Sequence, residues 1–328
     1  MSTHAGAQVI PLVRRFPALA SVPRVVLGDY PTPVETVALP GLSAPLWLKR
    51  DDLTSPELGG NKVRALEFLL ADVRAGDLLL TGGGEGSTHV LATAVHAKRL
   101  GARLHAVRWR HEMHETAERV AQRALRECAS VATFSTPLAG ILWVLAQRAV
   151  RNWRWIPFGG TSPRGILGHI NAALELADQV QSGALPRPER VVVALGTGGT
   201  TAGLALGFAA ADMPITVIGA RVVPRIASGL AKVRWLARRT IRWVERETGV
   251  RLPPLGRDAV RVVHDVFGGA YGRVSPNATE AAAAMERASG LVLDATYGAK
   301  AFDAALRAAH REPGVTLFWC TFDARWLR

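Results

Sequence analysis

Apolar and polar positions along this chain change period again and again. Short apolar runs at 77–83 ("DLLLTGG"), 103–109 ("RLHAVRW"), 154–160 ("RWIPFGG"), 190–199 ("RVVVALGTGG") and 215–222 ("ITVIGARV") have the length of buried strands. Between them lie stretches of helical period. One helix is expected from about Thr88 to Leu100, a second from about Gly165 to Val180, and a third from about Thr201. Strand, helix, strand in succession predicts an α/β fold with parallel sheets and right-handed crossovers. No repeat or low-complexity linker interrupts the pattern, and "QSGALPRPER" (181–190) reads as a surface loop before a buried strand.

Within this pattern, "LKRDDLTSPELGGNKVRALEFL" (48–69) places a lysine, Lys62, between a Gly-Gly-Asn turn and an amphipathic helix. The chain has 40 basic residues, of which only five are lysine, leaving 35 arginines. Where positive charge alone suffices, this sequence uses arginine. A lysine differs in that it can lose its proton and act as an amine nucleophile. A solvated first-turn charge is the plain reading of any one lysine, so Lys62 needs company to count as chemistry.

That company comes from two glycine clusters, each between a strand and a helix. In "RVVVALGTGGTTAGLALGF" (190–208), Gly196, Gly198 and Gly199 allow a sharp turn that points N–H groups at an anion. Thr197, Thr200 and Thr201 add hydroxyls, and the helix start adds a favourable dipole. The loop is neither a dinucleotide fingerprint, since Thr201 occupies its third glycine position, nor a Walker loop. Glycines for close packing explain part of it, but not the threonines. In "LLLTGGGEGSTHVLATA" (78–94), Ser87 and Thr88 are N-cap candidates whose N–H groups suit a carboxylate. Two anion sites and one unusual lysine are what a phosphorylated aldehyde cofactor and a carboxylate-bearing substrate require.

Composition narrows the setting. A chain of 328 residues with 48% hydrophobic and 20% charged positions is globular and makes two domains or one large α/β unit. Two cysteines, Cys128 and Cys320, form no disulfide framework or metal-ligand spacing, and "MSTHAGAQVIPLVRRF" has no signal-peptide core; both predict a cytoplasmic protein. The most apolar stretch, "PLAGILWVLAQRAV" (137–150), is too short to span a membrane. The net charge of +13 raises the question of nucleic acid. Nine basic residues fall between Arg221 and Arg251, where Val233, Leu236, Ile241 and Val244 share a helical face. No nucleic-acid reading motif accompanies them, so the segment is expected to be a solvated helix with no specific nucleic-acid partner.

These motifs, in this order, resemble the fold-type-II pyridoxal-phosphate enzymes. The likeness is greatest to the branch of D-cysteine desulfhydrases and 1-aminocyclopropane-1-carboxylate deaminases. It runs from "PTPVE" (31–35) through "LWLKRDDL", "GGNKVRALEFL", "FGGTSPRGILGHINAALEL" and "LGTGGTTAGL" to "YGRVSPNATEA" and "LDATYGAKAF" (293–302). The resemblance implies a two-domain, tryptophan synthase β-like fold with parallel sheets flanked by helices. Residues 1–64 and 161–328 would form the larger cofactor-binding domain, and 65–160 a smaller inserted one. It implies Lys62 as the Schiff-base lysine of pyridoxal 5'-phosphate and Asn61 as its neighbour. Gly196, Thr197, Gly198, Gly199 and Thr200 would be phosphate ligands, and Thr88 would lie beside the cofactor. Ser87, Thr88 and His89 would form the carboxylate site, with Ser87, Tyr271 and Tyr297 as catalytic groups facing the substrate. A small amino-acid substrate, no membrane association and a homodimer complete the expectation.

The sequence also departs from the family. Thr88 replaces an asparagine and Ala65 a second basic residue, while Glu85 and Gly86 replace an apolar residue and glutamine. Gly298 stands where the family places Glu or Thr beside the pyridine nitrogen. Thr296 and Glu85 are the nearest polar replacements in sequence. The leading expectation is a lyase or deaminase that releases ammonia by a D-cysteine desulfhydrase-like β-elimination. A β-replacement synthase of the same fold is an alternative. So is a cofactor-binding protein of weakened catalysis that serves as an interaction module through 221–251.

Overall fold

The computed structural model describes residues 9–269 and 272–327. Strands are β1 (Val34–Val37), β2 (Leu46–Arg50), β3 (Leu78–Gly84), β4 (Arg103–Trp109), β5 (Ser130–Phe134), β6 (Arg154–Trp155), β7 (Arg190–Leu195), β8 (Thr216–Arg221), β9 (Val260–Val263) and β10 (Thr316–Cys320). Helices are α1 (Pro11–Arg15), α2 (Lys62–Leu69), α3 (Thr88–Arg99), α4 (Glu115–Glu127), α5 (Pro137–Val150), α6 (Pro163–Gln181), α7 (Gly199–Ala210), α8 (Leu230–Thr248), α9 (Pro276–Ser289) and α10 (Gly298–Arg311). The strands form two sheets, one of six in the order β1-β2-β10-β7-β8-β9 and one of four in the order β5-β4-β3-β6. Pairing of these strands is parallel throughout except between β1 and β2.

Local chemistry explains where several helices start. Thr136-Pro137, Ser162-Pro163 and Ser275-Pro276 are cap-and-proline pairs. In each, the hydroxyl accepts a backbone N–H of the first turn, and the proline occupies a position whose N–H would be unpaired anyway. Four of the five sequence-expected runs form strands of five residues or more, while the run at 154–160 keeps only the two residues of β6 before a 3-10 turn at Phe158–Gly160. No helix of the described residues is long and apolar enough to cross a membrane.

Helix α2 joins the two halves. Its Val63 and Leu66 belong to the core under the four-stranded sheet, with Leu79, Leu91 and Ile156, whereas Phe68 packs into the core of the six-stranded sheet. Glycines permit the close approach on that second side. A Cβ at Gly168 of α6 would stand 2.0 Å from the Arg64 carbonyl oxygen, and one at Gly203 of α7 would stand 2.4 Å from the His169 Cβ. Gly203 and Gly207, just after the phosphate-type loop, therefore serve helix-to-helix packing against α6.

Behind α2 lies a buried charge network. Arg64 donates to both oxygens of Asp51 and both oxygens of Glu175, and Lys49 donates to Glu175 at 2.6 Å. Trp319 donates to Asp51 at 2.7 Å, and the Thr32 backbone N–H donates to Glu175 at 2.9 Å. Two cations meet two anions, so the cluster is neutral and its lone pairs are occupied, the condition under which burying charge is tolerable. It fixes the first turn of α2 two residues beyond Lys62.

Candidate active site

A cleft of about 530 Å³ lies between the sheets. Its walls include Asn61 and Lys62 from the start of α2, Ser87, Thr88 and His89 from the start of α3, and Gly196, Thr197, Gly198, Thr200 and Thr201 from the β7–α7 turn. Tyr297 at the start of α10 closes one side. The segments that the sequence separates by more than two hundred residues thus converge on one cavity. Gly199 is the exception: it is the first residue of α7 and stands behind the lining, where its Cβ position is 2.9 Å from the Thr161 hydroxyl. Tyr271 lies outside the described residues.

Lys62 is the centre of the cleft's electrostatics. Burial alone lowers its ammonium pKa to about 8. Two histidines feel its charge. Burial, then Lys62, pushes His89 down to about 3 and holds His169 well below its usual range, so both rings are neutral. His89 Nε2 lies 3.0 Å from the Thr81 hydroxyl, whose proton goes to the Ile156 carbonyl at 2.8 Å. His89 is therefore held by β3 rather than pointing as an acid at a ligand.

The turn before α7 has the features of an anion cup. Gly198 has φ +96°, in the left-handed region, and the first N–H groups of α7 have no partner within the helix. Asn61 donates to the Thr200 hydroxyl at 2.9 Å, and Thr200 lies 3.3 Å from His169 Nε2. With His169 neutral, Thr200 can pass its proton to that ring, so it offers the cleft its backbone N–H rather than its hydroxyl. Thr201 is different. Its hydroxyl is fully buried, borders the cleft and has no hydrogen-bond partner among the described residues. A buried hydroxyl is seldom left unmatched, and one aimed into a cup of free N–H groups fits a phosphate oxygen. Thr161 and Thr197 bond each other at 2.5 Å across the cup. The sequence does not single out Thr161 or His169, whereas Thr201 is expected from it to add a hydroxyl to this loop. The tripeptide Gly-Thr-Ser at 160–162 is the one sequence signal that could have flagged Thr161.

On the opposite wall, Ser87 caps α3 by accepting the Val90 N–H at 3.4 Å, leaving its own proton free. Trp109, Phe158 and Ile141 make that end of the cleft apolar. Near Tyr297 the structure departs from the sequence-based candidates. Glu85 pairs with Arg108 at 3.2 Å and faces a separate small pocket, and Thr296 does not border the cleft. Asp294 and Thr321 do. Asp294 accepts the Tyr297 and Gly298 N–H groups at 2.7 and 2.9 Å, so it acts as the cap of α10.

A desolvated amine, an anion cup and a second helix terminus in one cleft are the groups that a phosphorylated aldehyde cofactor would need. Residues 25–321 match the family described as "Pyridoxal-phosphate dependent enzyme", and the chain belongs to that family. It is 35% identical over 326 residues to nocardicin C-9' epimerase of Nocardia uniformis subsp. tsuyamanensis, covering 94% of each chain. It is 32% identical over 300 residues to D-cysteine desulfhydrase of Salmonella paratyphi B, covering 86% of this chain and 87% of that one. The solved structure of an ACC deaminase homologue superposes with a TM-score of 0.75 at 27% identity, over 94% of both chains. The fold is that of the fold-type-II pyridoxal-phosphate enzymes, and pyridoxal 5'-phosphate is the cofactor of the family.

Proposed function

We propose that the protein is a pyridoxal-phosphate-dependent lyase that eliminates a β-substituent from a small amino acid and releases ammonia, as a D-cysteine desulfhydrase does. The observation that carries the reading is the meeting, in one cleft, of the desolvated Lys62 amine, the Ser87-capped helix terminus and Tyr297. The cofactor, when bound, supplies an electron sink for charge developing at the substrate's α-carbon. Lys62 would hold it, and its amine, whose charged form burial disfavours, would be the base placed to take the α-proton. Ser87 and the N–H groups at Thr88 and His89 bind the substrate carboxylate, with the start of α3 supplying the favourable end of its dipole. Tyr297 faces the departing substituent. Gly196, Gly198 and Thr200 would give backbone N–H groups to the phosphate, joined by the hydroxyls of Thr197 and Thr201. Asn61 orients Thr200.

Gly298 favours a substrate with a good leaving group. Glycine has no side chain to protonate the pyridine nitrogen, and the oxygens of the neighbouring Asp294 are engaged by backbone N–H groups. A less electron-poor ring suits thiolate or chloride departure better than opening a strained carbon ring.

The identity to nocardicin C-9' epimerase favours a second reading, in which the α-proton is removed and returned to the opposite face. Both readings share the first proton transfer and differ in its sequel. Incubation with D-cysteine, β-chloro-D-alanine and their L-isomers, with ammonia and pyruvate measured, tests the first. Exchange and inversion at the α-carbon in heavy water, without ammonia from any β-substituted substrate, would establish the second instead.

A further inference from the structure

The cationic segment 221–251 is not wholly a solvated surface. Its helix α8 begins against the anion cup. A Cβ at Gly198 would stand 3.1 Å from Leu236, 3.5 Å from Val233 and 3.7 Å from the Ser228 hydroxyl. Val233 and Lys232 lie three and four residues before Leu236, so both neighbour Leu236 on the side of α8 that meets the cup. Lys232 borders the same cleft as Thr197, Gly198 and Thr200. Its ammonium donates one proton to the Ala227 carbonyl at 2.6 Å, which leaves two. Ser228 is 1% exposed, and its hydroxyl has no partner among the described residues.

We propose that Lys232 and Ser228 form a second wall of the phosphate site, with Lys232 as its cation. Charge balance is the argument. A phosphate monoester carries close to two negative charges at neutral pH. Among the described residues lining the cleft, only Lys62 and Lys232 are cationic. Lys62 is taken by the aldehyde, and position 65, where the resembling family carries a second base, is a buried alanine. Lys232 is the cation that remains. Burial lowers its pKa, a cost that a neighbouring phosphate would offset. Ser228 stands next to this wall, its hydroxyl 3.7 Å from the Cβ position of Gly198. The inference rests on the cofactor alone and is independent of the reaction catalysed.

The test compares a ligand with and without the phosphate. Cofactor-free wild type, Lys232→Gln, Lys232→Arg and Ser228→Ala are titrated with pyridoxal 5'-phosphate and with pyridoxal, and quenching of tryptophan fluorescence is followed. Removing a charge-assisted hydrogen bond should raise the pyridoxal 5'-phosphate Kd of Lys232→Gln by about ten- to hundredfold. Pyridoxal binding should stay within about twofold, and Lys232→Arg should keep most of the affinity. Ser228→Ala should weaken the phosphorylated ligand by about three- to tenfold. Inorganic phosphate should raise the melting temperature of wild type more than that of Lys232→Gln. Equal loss for both ligands, or unchanged pyridoxal 5'-phosphate affinity in Lys232→Gln, would overturn the assignment. So would a defect confined to the KM for the amino-acid substrate.

Discussion

Replacing Glu175 with glutamine should cost the fold about 3 kcal/mol, outside the cleft lining and without changing side-chain volume. Glu175 accepts from Lys49 at 2.6 Å, from Arg64 at 2.9 and 3.0 Å, and from the Thr32 backbone at 2.9 Å. These partners, led by Arg64 and then Lys49, overcome burial and draw its pKa from the ordinary 4.5 to about 2. That drop of roughly 2.5 is worth about 3 kcal/mol at 1.36 kcal/mol each. It agrees with the ~3–5 kcal/mol typical of breaking a buried ion pair, because a neutral amide at this position would leave Lys49 and Arg64 facing Asp51 alone. The sign follows from a depressed carboxylate. The stabilisation is fully present above pH 4.5 and is lost as pH falls through about 2. Urea denaturation of cofactor-free wild type and Glu175→Gln, from neutral pH down into the acid range, measures both. The two midpoints should be far apart at pH 7 and converge as the solution is acidified. A gap at pH 7 below about 1 kcal/mol, or one that does not narrow in acid, would refute the argument. Because Arg64 sits two residues after Lys62, the variant should also hold the cofactor less firmly.

Lys62→Ala and Lys62→Arg should both lose the visible absorption of the bound cofactor, since a guanidinium stays protonated; borohydride reduction and peptide mapping of wild type should place the label on Lys62 and not on Lys49, Lys98, Lys232 or Lys300. Acylation of Lys62 by a small amine reagent in the cofactor-free protein should rise with pH and reach its half-maximum near pH 8, against about 10.5 for an ordinary lysine. Gly298→Glu should destabilise rather than restore a ring-nitrogen partner. Its Cβ would fall 3.0 Å from the Asp294 carboxylate and 3.3 Å from Leu293, so a melting temperature equal to wild type would show that α10 can shift. Filter binding at physiological salt should show no sequence-selective retention of nucleic acid, and any weak binding should vanish as salt is raised.

The sequence announces this fold through period and the site through rare residues. Strands β3, β4, β7 and β8 are apolar runs of strand length, and α3 and α6 begin within a few residues of the expected starts. Strands β1 and β2 escaped because "VETV" and "LWLKR" are short, and the buried Lys49 and Arg50 disguise an interior strand as a polar one. Lysine and arginine read as surface until their carboxylate partners are known, and those lie up to 126 residues away. The same limit hid part of the cleft. Asn61 and Lys62 stand out beside a Gly-Gly turn, whereas His169 sits mid-helix among apolar neighbours and reads as core. Lys232 was masked by company. In a stretch of nine basic residues nothing in composition marks the one that turns inward, and only the packing of Val233 and Leu236 on Gly198 does.

The scarcity of lysine acquires a further meaning once its placement is known. Lys49 and Lys300 are sealed from solvent, Lys62 and Lys232 face the cleft, and only Lys98 stands well out, with two-thirds of its side chain exposed. Free aldehydes condense with any accessible amine, while guanidinium groups are far less nucleophilic because they stay protonated. A surface clothed in arginine thus presents a soluble aldehyde with almost no decoys. Few side-chain amines then compete with Lys62 for the aldehyde, while the exterior stays strongly positive.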